Sequence, residues 1–193
     1  MITDLQRIHI KILTDAPADL KLGPFIEIFG RWRMEKDHQA GWVDLADYAH
    51  VPRGMGIVLV GFRANFSFDM SDPAPGILYA AKKGLTGTHA ERIVSVLKSC
   101  FELSQRLIAE KEFPPGVRLR TGALEILFPD RLVTPNTKET DAELRPAVEA
   151  ALTQLYRANG ATLTAPEDAG RAYGFSVRAK TAEPLELLGK RLG

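Results

Sequence analysis

The sequence predicts an α+β domain whose mixed, mainly antiparallel sheet carries its helices on one face. Three observations predict it. Apolar side chains alternate with polar ones at period two in several short runs, they recur at i, i+3, i+4 and i+7 in longer runs, and the two kinds of run are interleaved along the chain. With 193 residues, 45% hydrophobic and 25% charged, the chain has enough apolar side chain for one substantial core, which excludes a disordered, collagenous or coiled-coil protein.

Ile8, Ile10 and Ile12 alternate with His9 and Lys11 and define a first strand with one face on the core. Phe25, Ile28, Phe29 and Trp32 hold helical spacing, and Pro24 suits a first turn, so a helix is expected from about Pro24 to about Lys36. Gly41 to Tyr48 reads as a short or irregular strand. Gly56 to Phe62 lacks polar alternation and reads as a strand buried on both faces. Phe66, Phe68 and Met70 alternate as its hairpin partner, and Ile77 to Ala81 forms another strand.

Thr88-His89-Ala90-Glu91 has the form of a capping box, and Ile93, Leu97, Cys100, Phe101, Leu107 and Ile108 carry a long helix to about Lys111. Pro114-Pro115-Gly116 ends it. Val117, Leu119 and Thr121, then Leu124, Ile126 and Phe128, alternate on either side of Gly122 and predict a two-stranded hairpin. Val148, Ala151, Leu152, Leu155 and Tyr156 form a third helical stripe, closed by Asn159-Gly160. Strands near Thr162 and from Tyr173 to Lys180 follow, and Leu185, Leu187 and Leu188 mark a short last helix.

Asp19 to Glu27 and Asp141 to Glu149 share D-x-x-L-x-P-x-[IV]-E without a gap, and similar elements flank both. Two copies of a mixed unit predict a duplicated β-α-β-β(-α) module, since a solenoid needs about three or more repeats. The expectation is a single domain over residues 1–193 built from two pseudo-symmetric halves, about 1–113 and 114–193. The narrow helical stripes leave one sheet face for solvent, a ligand or a second subunit.

Lys and Arg number 25 against 24 Asp and Glu, a net charge of +1 that gives no broad basic field for nucleic acid or a membrane surface. The longest apolar stretch falls far short of the roughly 20 residues a bilayer span needs. A single cysteine, Cys100, excludes an intramolecular disulfide, and the N-terminal residues lack the charged and apolar regions of a leader, so a cytoplasmic location is expected.

The densest polar segment, Asp44 to Gly54, places Asp44, Asp47, Tyr48, His50 and Arg53 just before the most apolar strand. A general acid or base needs an imidazole or carboxylate tuned by neighbours, and Asp47 with His50 fits that need, Asp44 orienting the ring and Arg53 or Arg131 binding an anion. Turn chemistry explains the same residues, because Asp side chains bond nearby backbone and glycines satisfy tight turns. Asp44, Asp47, His50 and His38 match no metal-ligand spacing, so no metal is expected. No cofactor is expected either, since Gly54-Met55-Gly56 precedes a strand where a dinucleotide fingerprint follows one, and Ser95-Val96-Leu97-Lys98 lies within a helix without partner motifs. Trp42 with Tyr48, Arg53 and Arg131 are candidates for lining a ligand site through stacking and anion binding.

Asp44-x-Ala46-Asp47-Tyr48-x-His50-Val51-Pro52, Gly54-x-Gly56, Gly61, Asp69, Gly76-Ile77-Leu78-Tyr79 and Asp130-Arg131-Leu132-x-x-Pro135-Asn136-Thr137 together resemble a family of bacterial conserved proteins of unknown function and similar length. That resemblance spans most of the chain and brings no activity or catalytic residue with it. Phe62 stands where the resemblance implies a histidine, which weakens any site built on that imidazole. The reading is a non-enzymatic cytoplasmic protein, a homodimer, that binds a small molecule or a protein partner on its sheet face. The alternative is an enzyme with its acid–base site around Asp47 and His50.

Overall fold

The alternation of Ile8, Ile10 and Ile12 turns every second side chain of the first strand, β1 (His9–Asp15), into a core roofed by helices. The computed structural model describes residues 2–35, 41–157, 160–165 and 170–193. Its elements follow as α1 (Gly23–Arg33), β2 (Trp42–Tyr48), β3 (Gly56–Gly61), β4 (Ala64–Asp69), β5 (Gly76–Ala81), α2 (His89–Ile108), β6 (Arg118–Phe128), α3 (Lys138–Tyr156), β7 (Ala161–Thr164), β8 (Tyr173–Ala179) and α4 (Leu185–Arg191). The fold is α+β, as the interleaved periodicities predict.

Local chemistry sets the helix starts. Pro24 opens α1, where a missing backbone donor costs nothing. Thr88 Oγ1 accepts from Glu91 N at 3.3 Å while Glu91 Oε2 accepts from Thr88 N at 2.7 Å, so both halves of the capping box on α2 are made. Thr137 caps α3 by accepting from Thr140 N at 3.3 Å.

One eight-stranded sheet runs in the order β2-β3-β4-β5-β1-β6-β8-β7. Every neighbouring pair is antiparallel, a correction to the mixed sheet expected from the sequence. The reason lies in the connections: α1 carries the chain from β1 to the far edge, and β2 to β5 then meander back to β1. The helices α2, α3 and α4 pack with Ile8, Ile10, Ile12, Leu124, Ile126, Phe128, Phe175 and Val177, while α1 packs with Ile57, Leu59, Phe66 and Phe68. Phe25 stacks on Phe68 at 4.2 Å and Trp32 on Phe66 at 5.9 Å. All of these strand residues lie on the same face by register, so the four helices share one face of the sheet.

The hairpin expected around Gly122 does not form. Residues 118–128 make one long strand, β6, whose pairing with β1 shifts register between Ile12 and Thr14. The extra residues change the parity of the alternation, which is why the sequence shows two offset runs. A second shift, between Trp42 and Asp44 on β2, turns Trp42 onto the helix-covered side. The D-x-x-L-x-P-x-[IV]-E likeness falls on different local structure: Asp19 to Leu22 precede α1, whereas Asp141 to Glu149 lie wholly inside α3, with Pro146 in its interior. Lys36, His38 and Asn159 lie outside the described residues. No helix among the described residues is long and apolar enough to cross a membrane.

Gly56 holds φ at +62°, and a Cβ there would stand 2.1 Å from the Phe68 carbonyl oxygen. Gly56→Ala is therefore expected to cost at least about 2 kcal/mol in urea unfolding, through both backbone strain and the clash. A loss below about 0.5 kcal/mol, the size of an ordinary surface change, would contradict this close approach.

Candidate functional site

The face of the sheet that carries no helix holds the polar groups of interest. By register it presents His9, Lys11 and Leu13 of β1, Leu78 and Ala80 of β5, Ser67 and Asp69 of β4, Val58 of β3, Glu125 and Leu127 of β6, and Ser176 and the exposed Arg178 of β8. Leu13, Val58 and Ala80 are buried there although no helix covers them, and Lys11, Ser67 and Asp69 are buried with them. The 70–75 segment folds back over one end: Ser71 O accepts from Lys11 Nζ at 2.7 Å, and Pro75 O accepts from Thr14 N at 2.8 Å and from Thr14 Oγ1 at 2.9 Å.

Lys11 Nζ lies 2.5 Å from Asp69 Oδ2, with the two side chains only 6% and 2% exposed. Ser71 Oγ donates to the same carboxylate oxygen at 2.5 Å. The lysine reaches Asp69 by crossing β5 at Gly76, where a Cβ would stand 2.9 Å from the lysine Cε and 2.5 Å from Ile12 O. Only glycine leaves that path open. Ser71 Oγ is 3.4 Å from Lys11 Nζ, but an ammonium already paired with a carboxylate is no base for a serine nucleophile.

Glu125 is the direct cross-strand partner of Lys11, yet the lysine points away from it toward β4. Glu125 Oε2 accepts from Ser176 Oγ at 3.0 Å, while Oε1 is buried without a hydrogen-bond partner. Burial pushes its carboxyl above the usual glutamate range, against the smaller pull of Ser176, Arg178, Lys11 and Arg171. No salt bridge reaches Glu125 among the described residues. One period of the alternation from Lys11, His9 is pushed down to about 4 by burial and by Arg7, with Asp69 opposing. It is a neutral imidazole at pH 7.

A scan against protein-family models finds no match to this chain, and a search of curated proteins finds none either.

The residues singled out from the sequence are dispersed. Asp44 and Asp47 stand three apart on β2, a spacing that sends their Cα–Cβ bonds to opposite faces. Asp44 lies 3.7 Å from Arg33 and accepts from Leu45 N at 2.8 Å, while Asp47 accepts from Ala49 N at 2.8 Å. These are edge and turn contacts. His50 is exposed in the turn after β2, and neither carboxylate bonds to it. Arg53, also exposed, holds φ at +53° and lies 3.4 Å from Asp72. Tyr48 is half-exposed at the sheet edge, and Trp42 is packed in the α1 core. Arg131 is exposed in the loop after β6, at the other end of the strands from His50, on the order of 20 Å away along β1.

Cys100 is buried and its thiol is pushed up to about 12 by burial, so it packs as a small apolar side chain. Among the described residues no group of three or more potential ligands is placed to hold a metal. His9, Lys11, Asp69, Ser71, Glu125 and Ser176 escaped the sequence reading. Asp69 stands in the resemblance pattern without a role, Ser71 lies in a loop, and the others show only as polar residues at alternate strand positions, which the sequence shows equally for a solvated face.

Lys11→Met or Asp69→Asn alone strands one charge, and each is expected to cost about 3–5 kcal/mol in urea unfolding. Combining Lys11→Met with Asp69→Leu is expected to recover most of that loss. Single-variant losses under about 1 kcal/mol, typical of an exposed pair, would show that the pair is solvated.

His9 gives a pH dependence of definite sign. Its folded value of about 4 lies below the unfolded one, so between pH 6.5 and 4 the unfolded chain binds the extra proton. Stability is full above pH 6.5 and falls as the pH drops through that window, by at most about 3 kcal/mol. His9→Gln is expected to remove this component of the wild-type slope, and a His9 imidazole titrating near pH 6.5 by NMR would contradict it.

Proposed function

We propose that this protein is a non-enzymatic binding protein that takes a small ligand on the helix-free face of its sheet. The observation that carries the reading is Glu125, a carboxylate with a buried, unpartnered oxygen in a layer where Lys11, Asp69 and Ser71 satisfy one another. Native interiors pair their buried polar groups, and exceptions collect where a partner is supplied from outside. Beside Glu125 the face carries Lys11, Ser176 and Arg178 together with the partly exposed Leu127 and Leu78, a mix of apolar surface and placed polar groups that suits a small-molecule site.

A second copy of the chain fits this face less well. Among the described residues the exposed large apolar side chains are Met34, Val43, Tyr48, Val51, Met55, Phe62, Ile108, Leu132 and Leu187. None belongs to the central strands β4, β5, β1, β6 or β8, where a subunit interface would concentrate them. The acid–base alternative loses support because Asp44, Asp47, His50 and Arg131 do not converge. A cytoplasmic location is part of the proposal and rests on the single, buried cysteine.

Native mass spectrometry of protein purified without added ligand tests the reading. A small mass retained at one per chain is expected on the wild type and not on Ser176→Phe, which sets a ring over the face, provided that variant melts cooperatively. An adduct of equal occupancy on both proteins, or a ligand-free dimer, would overturn it.

A further inference from the structure

The open face also constrains what its ligand looks like, and this inference rests on the binding role proposed above. We infer that the ligand is an amphipathic cation, with one protonated amine or similar N–H head seated on Glu125 and an apolar body lying over Leu78 and Leu127. Lys11, the cross-strand neighbour of Glu125, spends its ammonium on Asp69 and on Ser71 O. What Glu125 lacks is a donor: Ser176 satisfies Oε2, and Oε1 has no partner. An anionic head would be repelled by this carboxylate, and Arg178, on the same face of β8, already exerts its attraction on Glu125. A neutral acceptor would leave Oε1 as it is. A protonated amine brings several donors and the complementary charge, and forms the stronger, charge-assisted class of hydrogen bond.

Glu125 is only partly buried, and the terminal torsion of a glutamate is broad, so the carboxylate can turn an oxygen outward as the head arrives. The surroundings set the rest of the molecule. Leu78 and Leu127 are partly exposed and flank the β1 strand on this face, and no side chain rises at Gly174, which pairs with Leu127 and precedes Ser176 by two positions. His9, opposite Leu127, is neutral and adds no competing positive charge at pH 7. The raised proton affinity of Glu125 also makes its charge costly until a cation arrives.

The test uses three probes that share one body and differ in the head: 4-phenylbutylamine, 4-phenylbutanol and 4-phenylbutyrate. Each is titrated into the full chain and into Glu125→Gln while backbone amide shifts are followed by NMR. The amine is expected to shift amides of β1, β6 and β8 at least about tenfold more tightly than the alcohol or the acid, as a charge-assisted bond would give. Glu125→Gln is expected to abolish that preference by weakening the amine toward the affinity of the alcohol. If the three probes bind this face alike, or if the amine preference survives Glu125→Gln, the cation assignment falls while the binding role stands. If none of them shifts open-face amides, both fall together.

Discussion

Two charges removed from water between Lys11 on β1 and Asp69 on β4 impose conditions on everything near them. The ammonium has to cross β5, so residue 76 has to be glycine. The carboxylate has to keep its remaining bonds, so Ser71 and the 70–75 segment fold onto that end of the sheet. Met70 N donates in turn to Gly54 O at 3.1 Å, which ties the turn after β2 to the same place. Between Asp44 and Gly76, Gly76 makes room for the lysine, Gly56 for the Phe68 carbonyl, and Asp69 supplies the counter-ion. After β6, Thr134 Oγ1 donates at 2.9 Å to the Asp130 backbone carbonyl and Thr137 caps α3.

The same pair decides what is left over. Had Lys11 turned to its direct cross-strand neighbour, Glu125 would be neutralised and the face would be closed. With Lys11 drawn to Asp69, Glu125 stays half-buried, bonded only through Ser176, and carries a desolvation cost that folding alone does not reward. Natural sequences tolerate such conflicts mainly where binding resolves them. This asymmetry between a satisfied pair and an unsatisfied neighbour is the physical content of the functional reading.

The periodicities made most of the fold legible. Period-two alternation located β1 and β4, an unbroken apolar run located β3, and the capping box and helical stripes located α1 and α2 within a few residues, whereas the stripe from Val148 to Tyr156 marked only the second half of α3. Two failures share one cause: register shifts in β6 and β2 alter strand parity, and parity is set by the partner strand, which a local pattern does not contain. The candidate site failed for a related reason. Polar density singled out Asp44 to Gly54, but density along the chain is what turns and strand edges produce, and Asp47 and Asp44 indeed bond nearby backbone. Lys11 and Asp69 are 58 residues apart and meet only through the sheet order. Glu125 looks like any solvated strand residue until its neighbour Lys11 is seen to turn away.

The state of Glu125 is therefore what the account most depends on, and it can be read directly. A titration of the Glu125 side-chain carboxyl carbon by NMR in the ligand-free protein should give a midpoint above the ordinary glutamate value of about 4.3, as desolvation without a cation requires. A midpoint at or below that value would mean that a positive group or water already satisfies the carboxylate, and the open face would then hold no vacancy for a cationic ligand.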